Sequence, residues 1–211
     1  MKKTLLILSL AVATLSYSCK EEKKEKKAEE PAKMEHKSMY SLVSDSTKVS
    51  FVAYKTTEKL PVGGEFKSIK ITELSEGETP LEVLNGSKFS IPVSSLFTND
   101  ATGTRDPKIT EFFFGAMKDT ELISGTFKVD GENASIDVTL NGETANIPLD
   151  VTSNSENIYT FSGVMDLKKW NASDAVASLN KVCEALHTGP DGVSKTWDEV
   201  AIKADVLFAK N

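Results

Sequence analysis

The chain has 211 residues, of which 39% are hydrophobic and 27% charged, with a formal net charge of -6. These values are ordinary for a soluble globular protein of one or two domains. The charge is uneven, because residues 1–37 hold nine Lys and six Glu, whereas residues 38–211 hold 16 basic and 25 acidic residues. An acidic domain cannot neutralise phosphates, which excludes nucleic acid as a partner. Two His and two Cys provide too few ligands for a transition-metal centre, so we predict neither a metal nor another cofactor.

The first residues are typical of an export signal. Lys2 and Lys3 precede an uncharged apolar run from Thr4 to Leu15. This run is too short to cross a bilayer, which takes roughly 20 residues. A charged start, a short apolar run and small residues before Cys19 predict a signal peptide over residues 1–18.

Cys19 is a candidate for lipidation. The segment from Leu15 to Cys19 resembles a bacterial lipobox, whose cysteine is acylated and becomes the new N-terminus. The alternative is ordinary secretory cleavage after Ser18. Residues 19–39 are rich in Lys and Glu and poor in apolar residues, so they predict a disordered tether; a solvated helix is the other possibility. We expect an outer-membrane-anchored lipoprotein of the cell envelope, on the periplasmic side or the cell surface.

Residues 40–211 alternate between apolar and polar side chains, as antiparallel strands with one wet face do. Turn pairs such as Asp130-Gly131 and Asn141-Gly142 follow the strands directly and favour tight hairpins. The pattern predicts an all-β domain, an antiparallel barrel of about eight strands. A barrel is favoured over a sandwich because closure removes exposed strand edges.

One segment breaks this alternation. Residues Ala172 to Leu186 have the spacing of an amphipathic helix, so we expect one short helix before the last strand. Cys183 and His187 would share a face of it. Such a pair could be a nucleophile with its base or half of a zinc site. The favoured interpretation is a buried, inert cysteine and a histidine at the helix end, and therefore no enzyme.

Several short motifs lie along the predicted strands. Arg105 precedes Asp106 in a loop, where it forms an ion pair or contacts the anionic head of a ligand. Phe112 and Phe113 lie in an aromatic run that is either a core plug or the wall of an apolar cavity. The motifs are Gly64-Glu65-Phe66, Ile91-Pro92-Val93-Ser94-Ser95-Leu96-Phe97-Thr98, Arg105-Asp106, Glu111-Phe112-Phe113, Leu140-Asn141-Gly142-Glu143-Thr144 and Ile147-Pro148-Leu149.

Through these motifs, residues 40–211 resemble the YceI-like family of polyisoprenoid-binding proteins. The resemblance implies a lipocalin-like barrel that carries or sequesters an isoprenoid-like lipid in its apolar interior, with Arg105 as a possible contact of the head group. The alternative is a structural or interaction lipoprotein with a filled barrel. No sequence feature indicates an oligomeric state. The residues expected to line the interior are Phe51, Phe66, Phe89, Ile91, Phe112, Phe113, Phe127, Val138, Leu149, Phe161, Val206 and Phe208.

Overall fold

The structure is a computed structural model that describes residues 39–154 and 157–211. The predicted signal peptide and Cys19 lie outside the described residues, as does the predicted tether except for Met39. Eleven strands form one antiparallel sheet. They are β1 Tyr40–Leu42, β2 Lys48–Lys55, β3 Leu60–Phe66, β4 Lys70–Thr72, β5 Lys88–Pro92, β6 Leu96–Phe97, β7 Leu122–Asp130, β8 Asn133–Leu140, β9 Glu143–Ser153, β10 Ile158–Asp166 and β11 Thr196–Lys210.

The sheet curls until its two ends meet. Its hydrogen-bonded order is β4-β5-β7-β8-β9-β10-β11-β2-β3-β6, and β1 adds to β11. β4 and β5 lie at one end of this order, and β3 and β6 lie at the other end. Residues 67–69 connect β3 directly to β4, and residues 93–95 connect β5 directly to β6. At this bend the Lys67 amide donates to the Ser95 carbonyl at 2.9 Å. Segments 60–72 and 88–97 therefore run side by side and complete the lipocalin-like enclosure.

The all-β class is confirmed, but a count of about eight strands was too low. The bend divides one long strand into β3 and β4 at residues 67–69, and another into β5 and β6 at residues 93–95. The short strand β1, which pairs with β11, lies before the first alternating segment. Apolar alternation continues through such a bend, so the pattern does not reveal it. The predicted turn at Asn141-Gly142 is confirmed, with both residues at positive φ (54° and 74°), as a tight hairpin requires.

Short helices close the two ends of the enclosure. α1 spans Pro80–Leu84, and its first turn is held by a capping box between Thr79 and Glu82, which satisfies free amides at the helix start. The predicted helix before β11 is present over Ser173–Val182 and ends at Cys183, but a count of one helix was too low, because one-turn helices leave no periodicity in the sequence. The others are α2 Arg105–Lys108, continued by a π-helical turn Ile109–Phe113, then α3 Ser173–Val182 and α4 Glu184–His187.

Two buried clusters occupy the ends of the enclosure. The first, around fully buried Trp170, joins α3 to β8 and β9 through Val176, Val138 and Ile147. The Trp170 indole N–H donates to the Val138 carbonyl at 2.8 Å, which satisfies its polar atom in the core. The second cluster joins α1 to β10 and β11, with Leu84, Phe161 and Phe208 among its members. Among the described residues, no helix combines the length and apolarity needed to cross a bilayer.

Candidate functional site: an apolar cavity inside the sheet

A cavity of about 230 Å³ lies inside the curled sheet, between the two buried clusters. Its wall comes mostly from the inward-facing apolar side chains of the strands, with contributions from α1, the π-helical turn and α3. The alternation of apolar and polar residues therefore gives the sheet an apolar inner face and a solvent-exposed outer face. Sheet closure turns the apolar face into a continuous lining.

Ten of the twelve predicted interior residues belong to this lining. Ring contacts hold several of them in place. The Phe51 and Phe66 ring centroids are 5.7 Å apart, and Phe127 meets Phe161 edge to face at 5.0 Å. The ten are Phe51, Phe66, Phe89, Ile91, Phe113, Phe127, Val138, Leu149, Phe161 and Val206. Contact of these residues with a ligand stays a prediction.

Phe112 and Phe208 lie outside the lining, and these two predicted positions are corrected. The three consecutive phenylalanines of this helical turn spread over most of its circumference, so they cannot all face one space. Phe113 and Phe114 line the cavity, whereas Phe112 is a half-buried neighbour. Phe208 points inward but belongs to the end cluster, where its ring meets that of Tyr159 at 5.6 Å.

Arg105 does not reach the cavity. Its guanidinium faces Asp100, with Nη2 3.9 Å from Oδ1, and its side chain is 41% exposed. Hydrogen bonds from the Thr102 hydroxyl, and from the Arg105 and Thr104 amides, lower the pKa of Asp100 to about 2. The structure thus shows the ion pair within a loop, with Asp100 as the partner, and the contact of Arg105 with a head group stays a prediction.

Glycines let two aromatic rings lie flat on the inner face. Phe51 pairs with Gly64 on β3, and Phe89 pairs with Gly125 on β7. A Cβ atom on Gly64 would be 2.3 Å from Cζ of Phe51, so the ring occupies the space of the missing side chain. These two glycines therefore shape the cavity wall without contributing side chains to it.

Four hydroxyl residues of the lining were not predicted from the sequence, namely Thr47, Ser50, Ser87 and Thr196. Thr47 precedes β2, and Ser87 precedes β5; both line the cavity. The alternation could have predicted two of these positions. Thr47 lies two residues before Val49 and Ser87 two residues before Phe89, so both face the same side of the sheet as those inward residues. Strand boundaries drawn on apolar residues alone excluded both positions.

Among the described residues, the hydrogen-bond partner of the His187 side chain is Thr196 and not Cys183. Cys183 is buried, with 8% of its surface exposed. His187 Nδ1 is 2.6 Å from the Thr196 hydroxyl, which itself donates to Asn180 at 2.8 Å, so Nδ1 carries the proton. Burial, followed by the positive charges of Lys55 and Lys108, lowers the pKa of His187 to about 4. The part of the chain that the structure describes holds no group of three or more His, Cys, Asp or Glu able to bind a metal.

Comparison with known families identifies the domain. The family model of the YceI-like domain matches residues 40–208. The chain belongs to the YceI-like family. No curated protein matches the chain. Similar solved structures include a polyisoprenoid binding domain from Saccharophagus degradans, at 14% identity and a TM-score of 0.59, covering 82% of this chain and 99% of that one. Another is BcnA from Burkholderia cenocepacia, at 20% identity and a TM-score of 0.51, covering 81% and 100%.

In this YceI-like domain, hydrogen bonds within the motif from Ile91 to Asp106 hold a strand end against a helix. The Asp106 carboxylate accepts hydrogen bonds from the Thr98 amide at 3.1 Å and from its hydroxyl. These bonds tie the end of β6 to α2, which leads into the π-helical turn. The motif thereby positions Phe113 and Phe114 in the cavity wall.

Proposed function

We propose that this YceI-like domain binds a long apolar lipid of the isoprenoid type inside its curled sheet. The observation that carries the proposal is the cavity of about 230 Å³ with an almost wholly apolar lining. Burial of the lipid would supply the binding free energy, at roughly 25 cal/mol for each Å² of apolar surface. The name of the Saccharophagus degradans relative, a polyisoprenoid binding domain, supports the same class of ligand.

The cavity size limits what can be bound without movement. An engineered apolar cavity of about 150 Å³ binds benzene, whereas drug-sized ligands occupy roughly 300–1,000 Å³. The cavity of about 230 Å³ therefore accommodates part of an isoprenoid chain, and the rest needs displaced side chains. Displacement of the Phe51 or Phe89 ring would enlarge the cavity, because each ring lies over a glycine.

The proposed context is the cell envelope. Lys2 and Lys3, the apolar run after them and Cys19 support export and acylation. An acyl anchor at Cys19, followed by a Lys/Glu-rich tether, would hold the domain beside a lipid source at the outer membrane. The proposed role is carriage or sequestration and not catalysis, in agreement with the buried Cys183 thiol and the Nδ1 proton that His187 shares with Thr196.

The second candidate is a non-catalytic interaction protein with a filled enclosure. It is favoured by the two buried clusters, which close both ends of the enclosure. Organic extraction of the purified full chain, followed by mass spectrometry, separates the candidates. A stoichiometric isoprenoid-like lipid supports the carrier, and protein without lipid after expression in its native envelope contradicts it.

A pair of variants sharpens this test. Ala53 lines the cavity and pairs with Val200, whereas Ala201 is the next residue on β11, lies outside the lining and pairs with Val52. Ala53→Leu should fill the cavity and remove the lipid with little change in melting temperature, and Ala201→Leu should retain the lipid. In a filled enclosure, Ala53→Leu would instead overpack the interior and cost about 1–3 kcal/mol.

A further inference from the structure

A short segment crosses the end of the enclosure that lies away from α1. Residues 184–195, here called the strap, comprise α4 and the loop that leads into Thr196, the first residue of β11. α1 instead packs beside Phe208, close to the last residue of that strand. Within the strap, Thr188 and Ser194 form an antiparallel bridge. The strap and α1 therefore mark the two opposite ends of the long strand β11.

Polar contacts hold the strap against the turn that follows β2. The Thr57 hydroxyl donates to the Asp191 carboxylate at 2.7 Å. The Lys55 ammonium donates to the Leu186 carbonyl at 3.0 Å. These contacts engage the backbone and the polar side chains of the strap, and its larger apolar side chains face solvent.

Several apolar side chains are exposed at this end. Leu186 is 59% exposed and Val193 is 49% exposed, and both belong to the strap. Leu60, the first residue of β3, is also exposed, and it pairs with Lys55, which contacts the strap. Single exposed apolar residues are ordinary, whereas several at one place mark an interaction surface.

An aromatic and cationic cluster adjoins the strap. Trp197 follows it on β11 and is half-buried. The Lys195 ammonium lies 3.6 Å from the centroid of the Trp197 ring, and the Lys59 ammonium lies 5.2 Å from that centroid. Lys59 also lies 4.8 Å from the centroid of the Tyr54 ring. Tryptophan, tyrosine and lysine accumulate where a protein meets the head groups of a bilayer, because each joins an apolar body to a polar end.

The distribution of charge favours the strap end as the one that meets an anionic surface. At the α1 end, four glutamates lie between Glu73 and Glu82, with no lysine or arginine among them. At the strap end, lysines balance the carboxylates, as where Lys59 pairs with Glu199 at 2.7 Å. The lysines there include Lys55, Lys59, Lys108 and Lys195, and the carboxylates include Glu58, Glu184, Asp191 and Glu199. A negative surface therefore repels the α1 end more than the strap end.

We propose that the strap and Trp197 form a docking surface for a bilayer that contains anionic phospholipids. Leu186 and Val193 insert between the head groups, and Lys195 lies at the level of the phosphates, where basic side chains are attracted. Trp197 also belongs to the cavity lining, so the docked face lies beside the cavity. The inference goes beyond the proposed function, because it does not depend on what the cavity holds.

The proposed anchor at Cys19 is compatible with docking at this end. The chain enters the domain through β1, which pairs with the last residues of β11, so the strap lies at the far end of that strand. Residues 20–38 are more numerous than the residues of β11. An extended chain rises about as far per residue as a strand does, so this segment is long enough to span the length of β11.

Quenching of tryptophan fluorescence by brominated phosphatidylcholine tests the docking surface. The chain has two tryptophans. Trp170 is fully buried in the core, so only Trp197 can meet bromine atoms of a bilayer. The full chain is reconstituted into vesicles, so that any anchor within residues 1–38 is common to every variant. We expect quenching on vesicles that also contain phosphatidylglycerol, and its loss in Trp197→Phe, on phosphatidylcholine alone and at high salt.

Two matched pairs of variants locate the contact. Leu186→Asp should remove most of the quenching, whereas Leu74→Asp, at a residue 41% exposed near the α1 end, should retain it. Lys195→Glu should remove it as well, and Lys70→Glu on β4 makes the same change in charge without effect. Each signal is the ratio between brominated and unbrominated vesicles, which corrects for altered intrinsic fluorescence. Val193→Asp replaces Leu186→Asp if that variant melts well below wild type.

The variant Ala53→Leu separates docking from lipid uptake into the cavity. Its filled cavity should leave the quenching of Trp197 unchanged, and loss of quenching in Ala53→Leu would instead assign the signal to a lipid chain inside the sheet. That result overturns the docking surface and leaves the proposed lipid binding standing. Equal quenching on both kinds of vesicle, or equal loss in Leu186→Asp and Leu74→Asp, also overturns the docking surface. Absence of quenching in wild type does the same.

Discussion

The ring of Phe89 lies over Gly125, its partner on the neighbouring strand, in the space that a side chain of that glycine would occupy. A Cβ atom on Gly125 would be 2.4 Å from Cζ of Phe89 and 2.2 Å from the Asp137 carbonyl oxygen of β8. Gly125 therefore faces the interior, as the strand alternation predicts. It is nevertheless unsuited to filling the cavity, because the obstruction includes backbone.

Gly125→Ala and Gly64→Ala should differ in cost. The added methyl at Gly125 meets the Asp137 backbone, which cannot move without disturbing the β7–β8 ladder, so we expect a loss of about 1–3 kcal/mol. The nearest atoms at Gly64 are the far end of the Phe51 ring, the closest at 2.3 Å. A ring can rotate away, so Gly64→Ala should cost less. Urea unfolding of both variants measures the difference, and equal losses would contradict this account.

Cys183 should react slowly with thiol reagents in the native state. It is buried, with 8% of its surface exposed, and buried structural cysteines are inert. The Cys19→Ala variant isolates this thiol, because the chain has two cysteines. Labelling by a chromogenic disulfide should become rapid only in denaturant. Rapid labelling of the native protein would reopen the possibility of a nucleophilic Cys183.

His187 should make the domain less stable in acid. The unfolded chain takes up a proton near the ordinary pKa of 6.5, whereas the folded protein does so near 4. The stabilisation is therefore complete above the unfolded pKa and is lost as the pH falls through the folded one. His187→Asn keeps a polar group beside Thr196 but does not titrate. Its melting temperature should fall less than that of wild type between pH 7 and about pH 4.5; an equal fall would assign the effect to other groups.

Cys19→Ala should release the protein from membranes into the soluble fraction, because no acyl chain could then be attached. Deletion of residues 20–38 should instead leave both anchoring and the melting temperature of the domain unchanged, since that segment is almost wholly polar. Fractionation followed by immunoblotting measures the first effect. Retention of Cys19→Ala in the membrane pellet at the wild-type level would contradict the acyl anchor.

The sequence by itself determined the class of fold and the character of the interior. Period-two alternation marks the face that each strand side chain occupies, and this local property correctly placed Phe51, Phe89 and Phe161 on the inner face. The short motifs between Gly64 and Leu149, Arg105-Asp106 among them, also indicated the family. Each alternating segment and each motif is read from residues that are close in the chain.

Only the tertiary structure decided which inward residues surround empty space and which fill the ends. Phe208 and Val206 alternate onto the same face of β11 and belong to the same end cluster, yet only Val206 also lines the cavity. Arg105 is engaged by Asp100, and the Thr47 hydroxyl lies without a partner in an apolar wall. These relations depend on where the sheet bends and on the distance between its opposite walls. Both are determined by contacts between residues that are distant in the chain, which local patterns do not reveal.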